Sequence, residues 1–130
     1  MAFTLELDCV TKAFDEFVAV DHLSFNIPEG EIFGLLGPNG AGKTSTIRMM
    51  IGIAVPDSGV VRVFGQPLKR ALLDRVGYLP EERGLYKKMK IIENLVFLAR
   101  LKGIDTAEAT RRSNHWLERL ELGGWGNSKV

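Results

Sequence analysis

Little in this sequence ties it to secretion or to a membrane. One cysteine, Cys9, stands in 130 residues, so no internal disulfide can form, which suits a reducing compartment. The opening Met1-Ala2-Phe3-Thr4-Leu5-Glu6 has no basic stretch followed by an apolar core and does not read as a secretory leader. The longest candidate apolar run, residues 49–55, falls far short of the ~20 residues that span a bilayer, so the chain is not expected to enter a membrane by itself. Charge of one sign is lacking too. Lys and Arg number 17 against 16 Asp and Glu, a net charge of +1, so no nucleic-acid partner is implied. His22 and His115 match no metal-ligand spacing and read as surface or turn residues. Internal repeats and low-complexity segments are missing as well. What remains, 45% hydrophobic and 25% charged residues, is the composition of one modest domain with its own core.

The informative stretch is Gly37-Pro38-Asn39-Gly40-Ala41-Gly42-Lys43-Thr44, which fits G-x-x-x-x-G-K-[ST] at every fixed position. The apolar segment 31–36 before it reads as a buried strand. Residues 45–51 after it read as a helix with Ile47, Met50 and Ile51 on one face. Strand, glycine-rich loop and helix form the arrangement of a phosphate-binding loop. Glycines let backbone N–H groups close on an anion, and the following helix points its positive end at it. Lys43 supplies a point charge for β- and γ-phosphates, and the Thr44 hydroxyl is placed to coordinate Mg²⁺. The competing reading is a glycine-rich turn that caps a helix and binds nothing.

Residues 3–10 alternate apolar and polar as in a half-buried strand, and 11–16 read as a polar turn carrying Phe14. Residues 17–20 and 23–27 read as further strand, so an antiparallel β layer precedes the loop. A turn at 55–59 leads to a strand at 60–64 that is expected to rejoin this layer. Residues 68–74 suit a short helix, and 75–79 read as another buried strand. A polar, basic loop spans 81–90; its Arg83, Lys87, Lys88 and Lys90 read as a solvated face or as a docking aid for a partner's loop. A helix is expected at 91–101, with Ile91, Leu95, Leu98 and Leu101 on one side. A second, opened by a capping-box-like Asp105-Thr106-Ala107-Glu108, runs to about Leu122 with Ala109, Trp116, Leu117 and Leu120 inward. Gly123-Gly124 stops it, and 127–130 reads as a ragged tail.

The loop alone leaves kinases, GTPases and several ATPase classes open. The order β layer, Leu35 to Thr46, Gly59-Val60-Val61-Arg62-Val63-Phe64-Gly65, then Val76-Gly77-Tyr78-Leu79-Pro80-Glu81 resembles the nucleotide-binding subunit of ATP-binding-cassette (ABC) transporters over nearly the whole chain. Residues 78–86 look like the exporter-type subunits of sodium- and drug-efflux systems. The resemblance implies an α/β fold: a P-loop NTPase (ABC ATPase) core with an N-terminal antiparallel β layer and part of the helical subdomain, truncated. Within one nucleotide-binding domain, 1–79 would be β layer and P-loop core, 80–90 the Q-loop, and 91–130 a partial helical subdomain. ATP and Mg²⁺ are the implied cofactors. Gly37, Pro38, Asn39, Gly40, Ala41, Gly42, Lys43, Thr44 and Ser45 would hold the nucleotide, with Lys43 also catalytic. Phe14 stands where the family stacks an aromatic ring on adenine; the other reading is packing within the β layer. Glu81 stands where the family usually has Gln, in the loop that senses Mg²⁺ and the attacking water. It is a candidate catalytic and metal residue through its carboxylate oxygens, or a solvated surface Glu. Transmembrane permease subunits and a second nucleotide-binding domain are the implied partners, at the cytoplasmic face of the cell membrane.

Much of the family's catalytic equipment is not found in these 130 residues. No run of four apolar residues ends in Asp-Glu. Leu122-Gly123-Gly124-Trp125 lacks the Ser and Gln of the signature motif and reads as a helix stop, and no histidine stands at the switch position. The chain therefore reads as the N-terminal part of a longer cassette, and an unpaired strand edge beside the loop strand is expected to leave it marginally stable or self-associating. Alone it is expected to bind ATP but hydrolyse it poorly. The alternatives are a non-transport cassette acting on ribosome or DNA, and a nucleotide-binding module without catalysis.

Overall fold

A computed structural model describes residues 2–80 and 84–130. It divides into two compact units, Met1–Tyr78 and Leu79–Val130.

The first unit is a four-stranded antiparallel sheet with one helix. Strands β1 (Phe3–Phe14) and β2 (Phe17–Pro28) form a long hairpin, followed by helix α1 (Lys43–Met50), β3 (Ser58–Val63), the short β4 (Gln66–Pro67) and a 3-10 turn at Arg70–Arg75. The spatial order is β2-β1-β3-β4, so β3 rejoins the N-terminal layer by pairing with β1, as its sequence led us to expect. Alternation along β1 buries Leu5 and Leu7, and then breaks. Cys9 takes a positive φ of 49°, the register slips between Leu7 and Val10, and Val10 rather than Cys9 turns inward. This bulge lies against Gly59, whose φ is +81° and where an added Cβ would meet the Cys9 carbonyl oxygen at 2.3 Å. Leu5, Leu7, Val10, Val20, Val61 and Val63 from the sheet, Met49 from α1 and Leu72 from the 3-10 turn make the core.

Several local expectations need correcting. Residues 11–14 are not a turn: Lys12, Ala13 and Phe14 stay paired with β2, and only Asp15 and Glu16 turn the chain. β2 is likewise one strand, not two. Residues 31–36 and 76–79 are irregular rather than buried strands, with Ile32 fully exposed and Leu36 and Leu79 nearly so. Their composition suits a parallel sheet, but a strand exists only through a ladder with neighbours, and no described segment pairs with either. Phe33 is stacked on Phe25 with centroids 5.0 Å apart. The short helix expected at 68–74 is the 3-10 turn, and α1 buries Thr46 and Met49 in place of Ile47 and Ile51.

The second unit contains α2 (Ile91–Leu101), α3 (Thr106–Arg119) and a closing 3-10 turn at Gly123–Trp125. Its packing is led by a polar residue. Asn94 is fully buried on α2; its side chain accepts from the Tyr86 N–H at 2.9 Å and donates to the Tyr86 and Lys90 carbonyls at 3.1 and 3.2 Å. This ties the preceding loop to the helix. Glu93 accepts from the Lys90 N–H at 2.8 Å, and the Ile91 and Ile92 N–H groups donate to Ser128 and Gly126. The segment read as a ragged tail therefore caps α2. On α3 the inward residues are Ala109, Ser113 and Leu117, one turn apart, while Trp116 and Leu120 are exposed; Leu98 and Leu101 of α2 are exposed as well. Asp105 caps α3 by accepting from Glu108 N–H at 3.1 Å. The reciprocal half of a capping box does not form, because the Glu108 carboxylate is taken by Arg111 and Arg112 at 2.6 and 2.5 Å.

These contacts make two predictions. Gly59→Ala forces a Cβ into the bulge carbonyls and a side chain into a left-handed backbone, and should lower stability by roughly 1–3 kcal/mol, read as a lowered denaturation midpoint. Hydrogen bonds from Arg111 and then Arg112 hold the Glu108 carboxyl at about 2, against an ordinary 4.5. The folded value lies below the unfolded one, so this contribution is complete above pH 4.5 and disappears as pH falls from 4.5 through about 2. Glu108→Gln should flatten that part of the acid titration of stability; an unchanged titration would refute it.

Candidate nucleotide-binding site

The glycine-rich loop joins two elements of the first unit. It leaves the irregular segment 31–36, turns with the Ala41 N–H donating to the Pro38 carbonyl at 3.2 Å, and enters α1 at Lys43. Gly40 and Gly42 both have φ of +84°, a left-handed conformation that side chains resist. Gly42 has a second constraint. A Cβ there would lie 2.2 Å from the Ala19 carbonyl oxygen and 3.2 Å from Val20, so the end of the loop sits directly on β2. Thr46, buried one turn into α1, fixes the loop from the other side: its N–H and its hydroxyl both donate to the Gly42 carbonyl at 2.9 Å.

This seating leaves α1 with an open N-terminus. Gly42 has no side chain to cap it, and no acidic residue stands in the first turn. The N–H groups of Lys43, Thr44 and Ser45 have no acceptor one turn earlier in the helix and carry the positive end of its dipole. Lys43 folds back over the loop, its Nζ donating to the Gly37 carbonyl and to the Pro38 carbonyl, the latter at 2.8 Å. The ammonium thus stands at the loop's own carbonyl rim, and the Thr44 side chain is exposed beside it. Bare N–H groups, a cation, a hydroxyl and a first helical turn without acid make a donor set that fits a polyphosphate and its metal ion. A groove of about 730 Å³ lined by Ile92, Val96, Phe97 and Leu101 belongs to the second unit and includes no residue of this loop.

Phe14 ends β1, paired with Phe17 across the hairpin, and its ring is 51% exposed. It lies outside the buried core while remaining part of the β layer. Gly42 rests on β2 at Ala19, two residues from Phe17, a distance of about 7 Å along a strand. The hairpin thus carries the aromatic ring and the seat of the loop on one short stretch. Glu81 lies outside the described residues, as do Glu82 and Arg83. Ala19 and Thr46, which hold the loop, were not singled out from sequence. Thr46 could have been, as a small polar residue one turn after the glycine; Ala19 acts through its carbonyl and leaves no mark.

A family profile described as ABC transporter matches residues 20–130. The chain belongs to the ABC transporter family. It is 48% identical to an ABC transporter ATP-binding protein of Bacillus subtilis strain 168, YhaQ, over 97% of this chain and 42% of that protein. It is 40% identical to the Nod factor export ATP-binding protein I of Paraburkholderia xenovorans, again over 97% of this chain and 42% of that protein. The chain thus spans less than half the length of these relatives. Among solved structures, an ATP-binding subunit of an ABC transporter matches with a TM-score of 0.80 at 28% identity, over 97% of this chain and 54% of that one. CbiO1 of Clostridium perfringens, part of the ABC transporter complex CbiONQ, matches with a TM-score of 0.82, 99% of this chain and 55% of that one; at 20% identity it speaks for the fold alone. The fold is that of the P-loop ABC ATPases. Among the described residues no helix is long and apolar enough to cross a membrane.

Gly42→Ala tests the seat. The added methyl cannot coexist with the Ala19 carbonyl, so the loop must move off β2, and nucleotide affinity should fall at least about tenfold while far-ultraviolet circular dichroism is kept. Unchanged affinity would show that the contact does not shape the loop.

Proposed function

We propose that this chain forms the Mg·ATP-binding part of the ATP-hydrolysing subunit of an ABC transporter. The observation that carries the proposal is the open, acid-free N-terminus of α1, seated by Gly42 on β2 with the Lys43 ammonium at its rim. Gly37 to Ser45 bind the phosphates through backbone N–H groups, and Lys43 balances the charge that grows on the γ-phosphate. The Thr44 hydroxyl is a ligand for Mg²⁺, which when bound neutralises phosphate charge. Phe14 offers its exposed ring to the adenine base. In this reading 1–79 is the β layer and P-loop core, 80–90 the Q-loop and 91–130 part of the helical subdomain. Glu81, in that loop, would reach the metal or the attacking water through a carboxylate where the family usually has an amide.

Transport itself would run through transmembrane permease subunits, with a second nucleotide-binding domain closing over the nucleotides at the cytoplasmic face of the membrane. The Nod factor export proteins among the relatives support an exporter. The 130-residue chain has no apolar strand ending in Asp-Glu, so it should bind ATP and hydrolyse it poorly.

Two measurements test this. In the full-length protein, Lys43→Ala should lower ATP turnover by about 10²–10³. In the purified 130-residue chain, turnover should be near background; turnover that Lys43→Ala abolishes would contradict the division of labour proposed here.

A further inference from the structure

The tip of the β1–β2 hairpin is held in an unusual way. Pairing between β1 and β3 ends at Thr11 opposite Ser58, so Lys12, Ala13 and Phe14 have β2 on one side and no strand on the other. Asp57, the residue just before β3, takes over there. Its N–H donates to the Thr11 carbonyl at 2.9 Å, its Oδ2 accepts from the Ala13 N–H at 2.8 Å, and its Oδ1 pairs with Lys12 Nζ at 2.8 Å. One residue thus fixes the three that precede Phe14. Lys12 is only 17% exposed in its side chain, although charged, and its ammonium stands 5.5 Å from the centroid of the Phe14 ring, within cation–π range.

We propose that Asp57 and Lys12 are positioning residues that set the Phe14 ring to receive the base of the bound nucleotide. The inference rests on the reading of Phe14 as the base platform. Hairpin tips fray, and an aromatic ring that must be ordered on each binding event loses affinity to that ordering. Asp57 extends the ladder past the end of β3 and so stiffens the backbone under Phe14. Lys12, held by Asp57, covers one face of the ring and leaves the other for the base. Neither residue touches nucleotide in this scheme; both act through Phe14.

The test compares two ligands on the full-length protein: ATP, which has a base, and inorganic triphosphate, which does not. Dissociation constants are measured for wild type, Phe14→Ala, Asp57→Ala and the double variant. Phe14→Ala should weaken ATP about tenfold and leave triphosphate unchanged. Asp57→Ala should weaken ATP about fivefold, leave triphosphate unchanged, and add nothing in the Phe14→Ala background. Asp57→Asn keeps an acceptor for the Ala13 N–H and guards against misfolding; the same selective loss for ATP, smaller in size, is expected. Equal weakening of both ligands, an additive double variant, or ATP affinity untouched by Asp57→Ala would each overturn the positioning role while leaving Phe14 as the platform. ATP affinity untouched by Phe14→Ala would overturn the platform itself.

Discussion

The first unit depends on one close approach, the loop backbone at Gly42 against the Ala19 carbonyl of β2. No side chain fits in that gap, and the left-handed φ excludes one on conformational grounds too. The contact ends the loop, starts α1, and leaves the helix without a side-chain cap. The last consequence matters most. A protein that only needed a helix there would cap it with Ser, Asp or Asn and recover about 1 kcal/mol. Here the first turn stays bare and free of acid, and Thr46 secures the carbonyl of Gly42 from within the helix instead. Stability is withheld at the point where an anion would supply it.

Pairing, not composition, decides where this chain has strands. Residues 31–36 are apolar and flank the loop, yet they form no ladder and expose Ile32 and Leu36. Residues 12–14 are mostly polar or small in context, yet they remain strand because β2 continues beside them and Asp57 replaces β3 on the far side. The hydrogen bonds from the Ala13 N–H and then Lys12 also hold the Asp57 carboxyl below its usual range. A hairpin end that would otherwise be loose becomes part of the sheet.

The second unit makes a related point with a polar core residue. Asn94 is buried with both ends of its amide bonded, so its desolvation is offset by the bonds it makes to the loop at 86–90. Backbone carbonyls of Gly126 and Ser128 then satisfy the first N–H groups of α2. The α2 N-terminus, unlike that of α1, is thus closed by the chain's own backbone. The two helix starts differ in what they leave available, and only the first resembles a binding site.

The sequence by itself determined the chemistry of the loop. Glycines at 37, 40 and 42 with Lys43 and Thr44 are a local pattern, and local patterns survive without knowledge of the fold. It also determined the existence of β3, α2, α3 and the first part of β1, though not all of their buried faces. Tertiary structure decided what depends on distant partners. It put Val10 inward through the bulge at Cys9, because Gly59 stands opposite. It turned Trp116 outward and Ser113 inward, because burial on α3 follows the helix that packs on it rather than residue type. It kept Phe14 out of the core and joined the residue before it, Ala13, to Asp57, 44 positions away, which reads in sequence only as part of a turn. Contacts made by backbone carbonyls, such as those of Ala19 and Ser128, have no sequence signature, since every residue carries the same carbonyl; only the fold selects which one is used.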